Sequence, residues 1–204
     1  ISTLVRTNAL EREDGQIELP IYHEFVGKFS ESLLVSRQIK IIDKRRISWG
    51  VDSLQPTITP LDKTSAIALL RYSGQPPGRI WSSLTSNAGK KWTTPELISL
   101  PNPNAAIAVL NTGDGNLLLA YNDLEDGRNR LSLATRSIEE GTWKRRKVLE
   151  TETNTIDVEY EFSYPSLTKS KGDNIHLVYT WNQKRIKHIQ FNLAWLNKAE
   201  NSTL

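Results

Sequence analysis

Arg71 closes the apolar run Ile67-Ala68-Leu69-Leu70, and Arg128 follows the turn Asp126-Gly127. A guanidinium in such a place can grip a carboxylate through two parallel N–H bonds, or serve as half of a surface salt bridge. Gln55, Asn102 and Asn104 offer neutral donors and acceptors of the kind that hold hydroxyl groups, although Asn102-Pro103-Asn104 is equally a turn sequence. Tyr164 stands in Ser163-Tyr164-Pro165-Ser166-Leu167, where an aromatic on a strand also suits plain packing. Glu24 ends the run Tyr22-His23-Glu24 and reads either as a carboxylate aimed into a pocket or as a solvated strand end.

Other chemistries have less support. The chain of 204 residues has no Cys, which excludes disulfides, thiolate metal sites and cysteine nucleophiles. His23, His176 and His188 show no paired metal spacing, and no glycine-rich loop opens a helix, so neither a metal nor another cofactor is implied. The net charge of +3 is spread along the chain. The basic runs Lys144-Arg145-Arg146-Lys147 and Lys184-Arg185 with Lys187 read as charged outer strands, and nucleic acid is not expected as a partner. No apolar run approaches the roughly 18 residues of a membrane span. Asn201-Ser202-Thr203 has the form of a glycosylation sequon in a polar tail.

The elements that must position these side chains are short strands. Apolar or β-branched stretches lie at Ile17–Tyr22, Ile39–Ile42, Ala66–Tyr72, Arg79–Leu84, Leu117–Tyr121, Leu131–Thr135, Ile175–Tyr179 and Ile186–Phe191. Turn signals separate them, among them Asp14-Gly15, Gly113-Asp114-Gly115 and Lys171-Gly172-Asp173, and no long amphipathic helix competes. The pattern predicts an all-β chain.

Internal repetition narrows the choice. Gln55-Pro56-Thr57-Ile58, two strands and a turn ending in Trp92 are followed by a second unit that runs from Asn102-Pro103-Asn104 to Trp143, and Trp143 lies 51 residues after Trp92. A third unit holds Tyr164-Pro165-Ser166-Leu167 and two strands, and a degenerate first one runs from Asp14-Gly15 to near Trp49. A period of this size suits the blades of a propeller, each a sheet that must stack on its neighbours. Four blades are expected, at approximately residues 1–50, 51–100, 101–153 and 154–195, followed by a polar tail at 196–204.

The turns Thr85-Ser86-Asn87-Ala88-Gly89-Lys90-Lys91-Trp92 and Ser137-Ile138-Glu139-Glu140-Gly141-Thr142-Trp143 resemble the Asp-box, Ser-x-Asp-x-Gly-x-Thr-Trp, of the sialidase superfamily of β-propellers. Both copies are imperfect: Thr85 stands for Ser, Asn87 for Asp and Lys91 for Thr in the first, and the second is one residue short. Such a box staples a hairpin through a short polar side chain, a glycine and a tryptophan, and marks a fold with no catalytic role. The wider string Leu19-Pro20-Ile21-Tyr22-His23-Glu24, Gln55-Pro56-Thr57, Pro101-Asn102-Pro103-Asn104, Phe162-Ser163-Tyr164-Pro165 and Tyr179-Thr180-Trp181-Asn182 looks like the predicted bacterial neuraminidases over nearly the whole chain.

The resemblance implies a partial, sialidase-like propeller. The family's propellers have six blades, at about 45 to 50 residues each, and this chain is similar to the last four. It also implies a terminal acidic sugar such as sialic acid as ligand, with Arg71 and Arg128 matching two arginines of the family's carboxylate clamp and Tyr164 matching its nucleophile. A Tyr replaces the usual carboxylate nucleophile in sialidases, and the result is a retaining hydrolysis. The reason is electrostatic: the anomeric carbon already bears a carboxylate, which repels an anionic nucleophile. Gln55 departs from the pattern, since it occupies the slot of the Glu that deprotonates the Tyr. An amide cannot take that proton, so either another carboxylate such as Glu24, Glu159 or Glu161 substitutes, or the module binds glycans without hydrolysing them. A third alternative is a glycosidase acting on a different sugar with a rewired acid and base. The absence of Met reads as a chain that follows an upstream segment. End blades lacking neighbours would be covered by missing N-terminal blades or by self-association.

Overall fold

The computed structural model describes residues 3–198 except positions 13, 26, 51, 154 and 157. The sequon at 201–203 therefore lies outside the described residues. Two compact units divide the chain, Ile1–Leu100 and Pro101–Leu204.

In the first unit, sheet one contains β1 (Leu4–Val5), β2 (Leu10–Glu11), β3 (Ile17–His23), β4 (Phe29–Val35) and β5 (Ile41–Arg46), in the order β1-β3-β4-β5 with β2 also on β3. Sheet two is the meander β6 (Ser53–Pro60), β7 (Ala66–Tyr72), β8 (Arg79–Thr85) and β9 (Glu96–Pro101). β6 packs against β3 and β4, so the first strand of the second sheet lies on the sheet before it. Ile47, Ile58, Ala68, Leu70 and Trp92 form a core cluster.

The second unit repeats this plan. Sheet three is β10 (Ala108–Asn111), β11 (Asn116–Tyr121), β12 (Arg130–Ser137) and β13 (Trp143–Thr151), and sheet four is β14 (Phe162–Lys169), β15 (Asn174–Trp181) and β16 (Arg185–Asn192). β14 packs on β10, β11 and β12. Leu118, Ala120, Leu131, Leu133, Phe162, Leu177 and Tyr179 are central to this core. A short helix, α1 (Leu193–Asn197), follows β16, with the Asn192 side chain accepting from the Trp195 N–H at 2.8 Å. Its Leu196 is buried in the same core, so the stretch expected to be a polar tail starts inside this helix.

All-β meanders of this kind are propeller blades, and the residue types explain them. After Asn116, β11 is buried from Leu117 to Tyr121, whereas β15 alternates buried Ile175, Leu177 and Tyr179 with more exposed neighbours, the period-2 pattern of a half-covered strand. Turn acids close the hairpins. The Asp62 carboxylate accepts from the Thr64 and Ser65 N–H groups at 2.8 and 2.7 Å, and these backbone bonds lower its pKa to about 2.

The first box turn is built as the motif requires. Thr85 Oγ1 accepts from the Gly89 N–H at 3.1 Å and donates to Asn87 Oδ1 at 3.0 Å, and Asn87 Oδ1 accepts from the Lys91 N–H at 2.9 Å. Gly89 has φ +71°, and a Cβ there would lie 3.1 Å from Glu18 Oε1, so both backbone shape and space call for glycine. The second box keeps a looser staple, with Ser137 Oγ accepting from the Glu140 N–H at 3.2 Å. Trp92 is buried, while Trp143 is only half-buried at the start of β13.

The structure corrects one strand. The stretch expected at Ile39–Ile42 begins at Ile41 and runs through Asp43-Lys44-Arg45-Arg46, while Ile39 sits in a turn with φ +61°. Among the described residues no helix is long and apolar enough to cross a membrane.

Candidate functional site

Two backbone features place the candidate side chains, one in each unit. Gln55 precedes Pro56 in β6, and Tyr164 precedes Pro165 in β14. Both residues are in the left-handed region, at φ +49° and +55°, and at both the strand register slips, between Leu54 and Thr57 and between Ser163 and Ser166. A β-branched or bulky residue rarely adopts such φ, and a following proline disfavours helical backbone further. Strain of this type, about 1–3 kcal/mol per residue, persists where the fold over-determines it, and a bulge re-aims the side chain.

The two bulges aim different groups. In the first unit Gln55 is buried, 5% exposed. Its Oε1 accepts from Arg71 Nη1 at 3.1 Å, and its Nε2 donates to the Tyr22 hydroxyl at 3.3 Å. Arg71, near the end of β7 and half-buried, thus has a hydrogen-bonding partner that adds no charge. In the second unit Tyr164 is 45% exposed, with the Arg128 guanidinium carbon 6.0 Å from its ring centroid.

Arg128 is fixed from several sides. Nη1 donates to Glu161 Oε1 at 3.1 Å and Nη2 to the Asn104 carbonyl at 2.9 Å. Its own carbonyl accepts from the Phe162 N–H at 2.8 Å, and the buried Asn122 amide donates to the Arg128, Arg130 and Phe162 carbonyls at 3.3, 2.8 and 2.9 Å. The hairpin between β15 and β16 grips Glu161 in turn: Gln183 Nε2 donates to Oε2 at 2.6 Å, and Asn182 bonds the Glu161 backbone at both ends, at 2.7 and 3.0 Å. Partial burial alone would raise the Glu161 pKa. Hydrogen-bonding side chains, Gln183 among them, and the Arg128 charge outweigh it and hold the carboxyl below the ordinary range.

The remaining sequence candidates lie as follows. Asn102 is fully buried and closes its turn on Ala105, accepting from the N–H at 3.2 Å and donating to the carbonyl at 2.9 Å. Asn104 is exposed, with φ +53°, and contributes its carbonyl to Arg128. Glu24 is exposed one residue beyond β3. Three partners escaped the sequence reading: Tyr22 on Gln55, Gln183 on Glu161, and a buried acid at Glu31. Glu31 is bound by His23 Nε2, Lys44 Nζ and Arg46 Nη2 at 3.0, 2.9 and 3.0 Å. Its signal was a lone acid on β4 facing the basic run Lys44-Arg45-Arg46 of β5.

Comparison with known proteins adds the lineage. The chain is similar in structure to NanB sialidase from Streptococcus pneumoniae, with a TM-score of 0.68, 11% identity, and coverage of 91% of this chain and 30% of that one. It is similar to the Hadza microbial sialidase Hz136, with a TM-score of 0.69, 15% identity, and coverage of 92% and 37%. It is also similar to an exo-β-1,3-galactanase from Phanerochaete chrysosporium, at TM-score 0.62, 8% identity, and coverage of 93% and 51%. The chain spans roughly a third of the length of the two sialidases. At such identities the likeness shows the fold, a sialidase-type propeller. No curated protein matches the chain. The BNR repeat-like domain matches residues 1–177, and the chain belongs to that family of propeller repeats.

Proposed function

We propose that the protein binds a terminal acidic glycan, of the sialic acid class, without hydrolysing it. Arg71 in the first unit and Arg128 in the second are each a candidate partner for a carboxylate, with Gln55 beside Arg71 and Asn104 and Tyr164 beside Arg128. The observation that carries this reading is Gln55. It lies on a strained, buried bulge with its amide already shared between Arg71 and Tyr22, so the backbone effort is spent on a group that cannot take a proton. The sialidase-type fold supports the ligand class by analogy.

Hydrolysis with Tyr164 as nucleophile is the second reading, favoured by the exposure of Tyr164 on its own strained bulge. Glu161 does not improve it. That carboxylate is engaged by Arg128 and Gln183 and held below the ordinary range, which makes it a poor acceptor for a phenol proton.

The test is to add the methyl α-glycoside of N-acetylneuraminic acid to the protein and follow both partners by NMR. Saturable shifts of the sugar resonances with no methanol released are expected. Release of methanol and free sugar would replace this reading with the hydrolytic one.

A further inference from the structure

Within the second unit a cleft of about 530 Å³ opens between β13 on one side and β15, β16 and α1 on the other. It shares no residue with the Arg128 cluster. Its lining joins an indole, a carboxylate, an ammonium and amides, carried by Trp195, Glu150, Lys187, Asn174 and Gln190.

The polar groups are held in place. The Tyr179 hydroxyl and Lys187 Nζ both donate to Glu150 Oε1. A carboxylate has room for about four hydrogen bonds, so Oε2 retains acceptor capacity. Burial, reinforced by the bond to Glu150, pushes the Tyr179 pKa well up, which keeps that hydroxyl a donor. The charges of Lys187 and Glu150 offset each other, which argues against an anionic ligand.

The indole has the complementary property. Trp195 is 40% exposed, a large apolar ring left at the cleft, and its position is set by Phe191 at 5.1 Å and the Lys147 ammonium at 5.5 Å between ring centres and charge. A partly exposed aromatic ring beside fixed hydroxyl acceptors and amides suits a sugar ring that is apolar on one side and hydroxylated at its edge. Its volume lies within the range of small-ligand pockets.

We propose that this cleft is a second carbohydrate site, taking a neutral hexopyranose with its C–H face on Trp195 and its hydroxyls on Glu150, Lys187 and the amides.

The experiment records the indole N–H resonances of the protein, with Trp195 assigned by substitution, while methyl β-D-galactopyranoside, methyl β-D-glucopyranoside and methyl α-D-mannopyranoside are titrated separately. At least one sugar is expected to shift the Trp195 signal saturably, with a dissociation constant on the order of 1 mM. Followed through the sugar's own resonances, which need no indole in the protein, Trp195→Ala should weaken that binding at least about tenfold, Trp195→Phe should largely keep it, and Glu150→Gln should weaken it several-fold. Should Trp195→Ala fail to fold, Glu150→Gln carries the test. No shift with any of the three up to about 50 mM, fifty times the expected constant, or equal affinity in wild type and Glu150→Gln, would overturn the proposal.

Discussion

The two units use one backbone device for opposite ends. In each, a residue before proline is forced into left-handed backbone on the first strand of a sheet, beside a firmly held arginine. In the first unit the bulge residue is Gln55, buried and bonded to Arg71 without charge. In the second it is Tyr164, half-exposed, while the arginine is paired with a carboxylate, Glu161. The box turns differ in the same sense, tight around a buried Trp92 and looser around a half-exposed Trp143. The difference teaches that the first unit spends its strain on a buried hydrogen-bond junction and the second on a half-exposed aromatic side chain beside its arginine.

The largest expected contrast concerns the box turns. Trp92→Ala should cost about 3–5 kcal/mol in chemical unfolding, as for a fully buried tryptophan, and Trp143→Ala about 1–2 kcal/mol. Equal costs would break the comparison at its structural base.

Binding comes next. Arg71→Ala and Arg128→Ala should each weaken an α-sialoside about 10- to 100-fold in calorimetric titration, the value of one or two hydrogen bonds to a charged group. Arg→Lys at either position should recover only part of this, because an ammonium lacks the planar fork. A loss at only one of the two would place recognition in that unit alone.

Gln55→Glu sharpens the comparison by giving the first unit the charged partner that the second already has. A carboxylate against Arg71 competes with an anionic ligand, and affinity for the α-sialoside should fall about tenfold. Turnover that appears in this variant and is absent from the wild type would show that the amide at this bulge is what withholds hydrolysis.

The smallest effect is a pH dependence. The Glu161 carboxyl is depressed below its ordinary value of 4.5, so its contribution to stability is fully present above that pH and is lost as pH falls through the lower folded value. Glu161→Gln should therefore flatten the loss of stability below about pH 4.5, by about 1 kcal/mol or less, since both Arg128 and Glu161 keep some solvent contact. Thermal unfolding at pH 3 and pH 7 for both proteins measures it.

Much of this architecture was legible in the residues. Apolar runs such as Leu117–Tyr121 between Gly–Asp turns read directly as strands, and the Trp92 to Trp143 spacing gave the blade period. Edge strand β5 was misplaced because its Asp43-Lys44-Arg45-Arg46 segment carries charge where an apolar signal is expected. The left-handed backbone at Gln55 and Tyr164 was hidden for another reason: a residue before proline is statistically extended, and only the surrounding sheet enforces the exception. Long-range partners, Tyr22 on Gln55 and Gln183 on Glu161, arise from the packing of one sheet on the next and from a hairpin reaching over a loop, which no local pattern encodes.

The central claim, recognition of a carboxylate by these arginines, is tested most directly by titrating the protein with an α-sialoside and with the same glycoside carrying a carboxamide in place of the carboxylate. The account predicts that the acid binds at least about tenfold more tightly, the advantage of a charge-assisted pair over a neutral one. Equal affinity for acid and amide would contradict it.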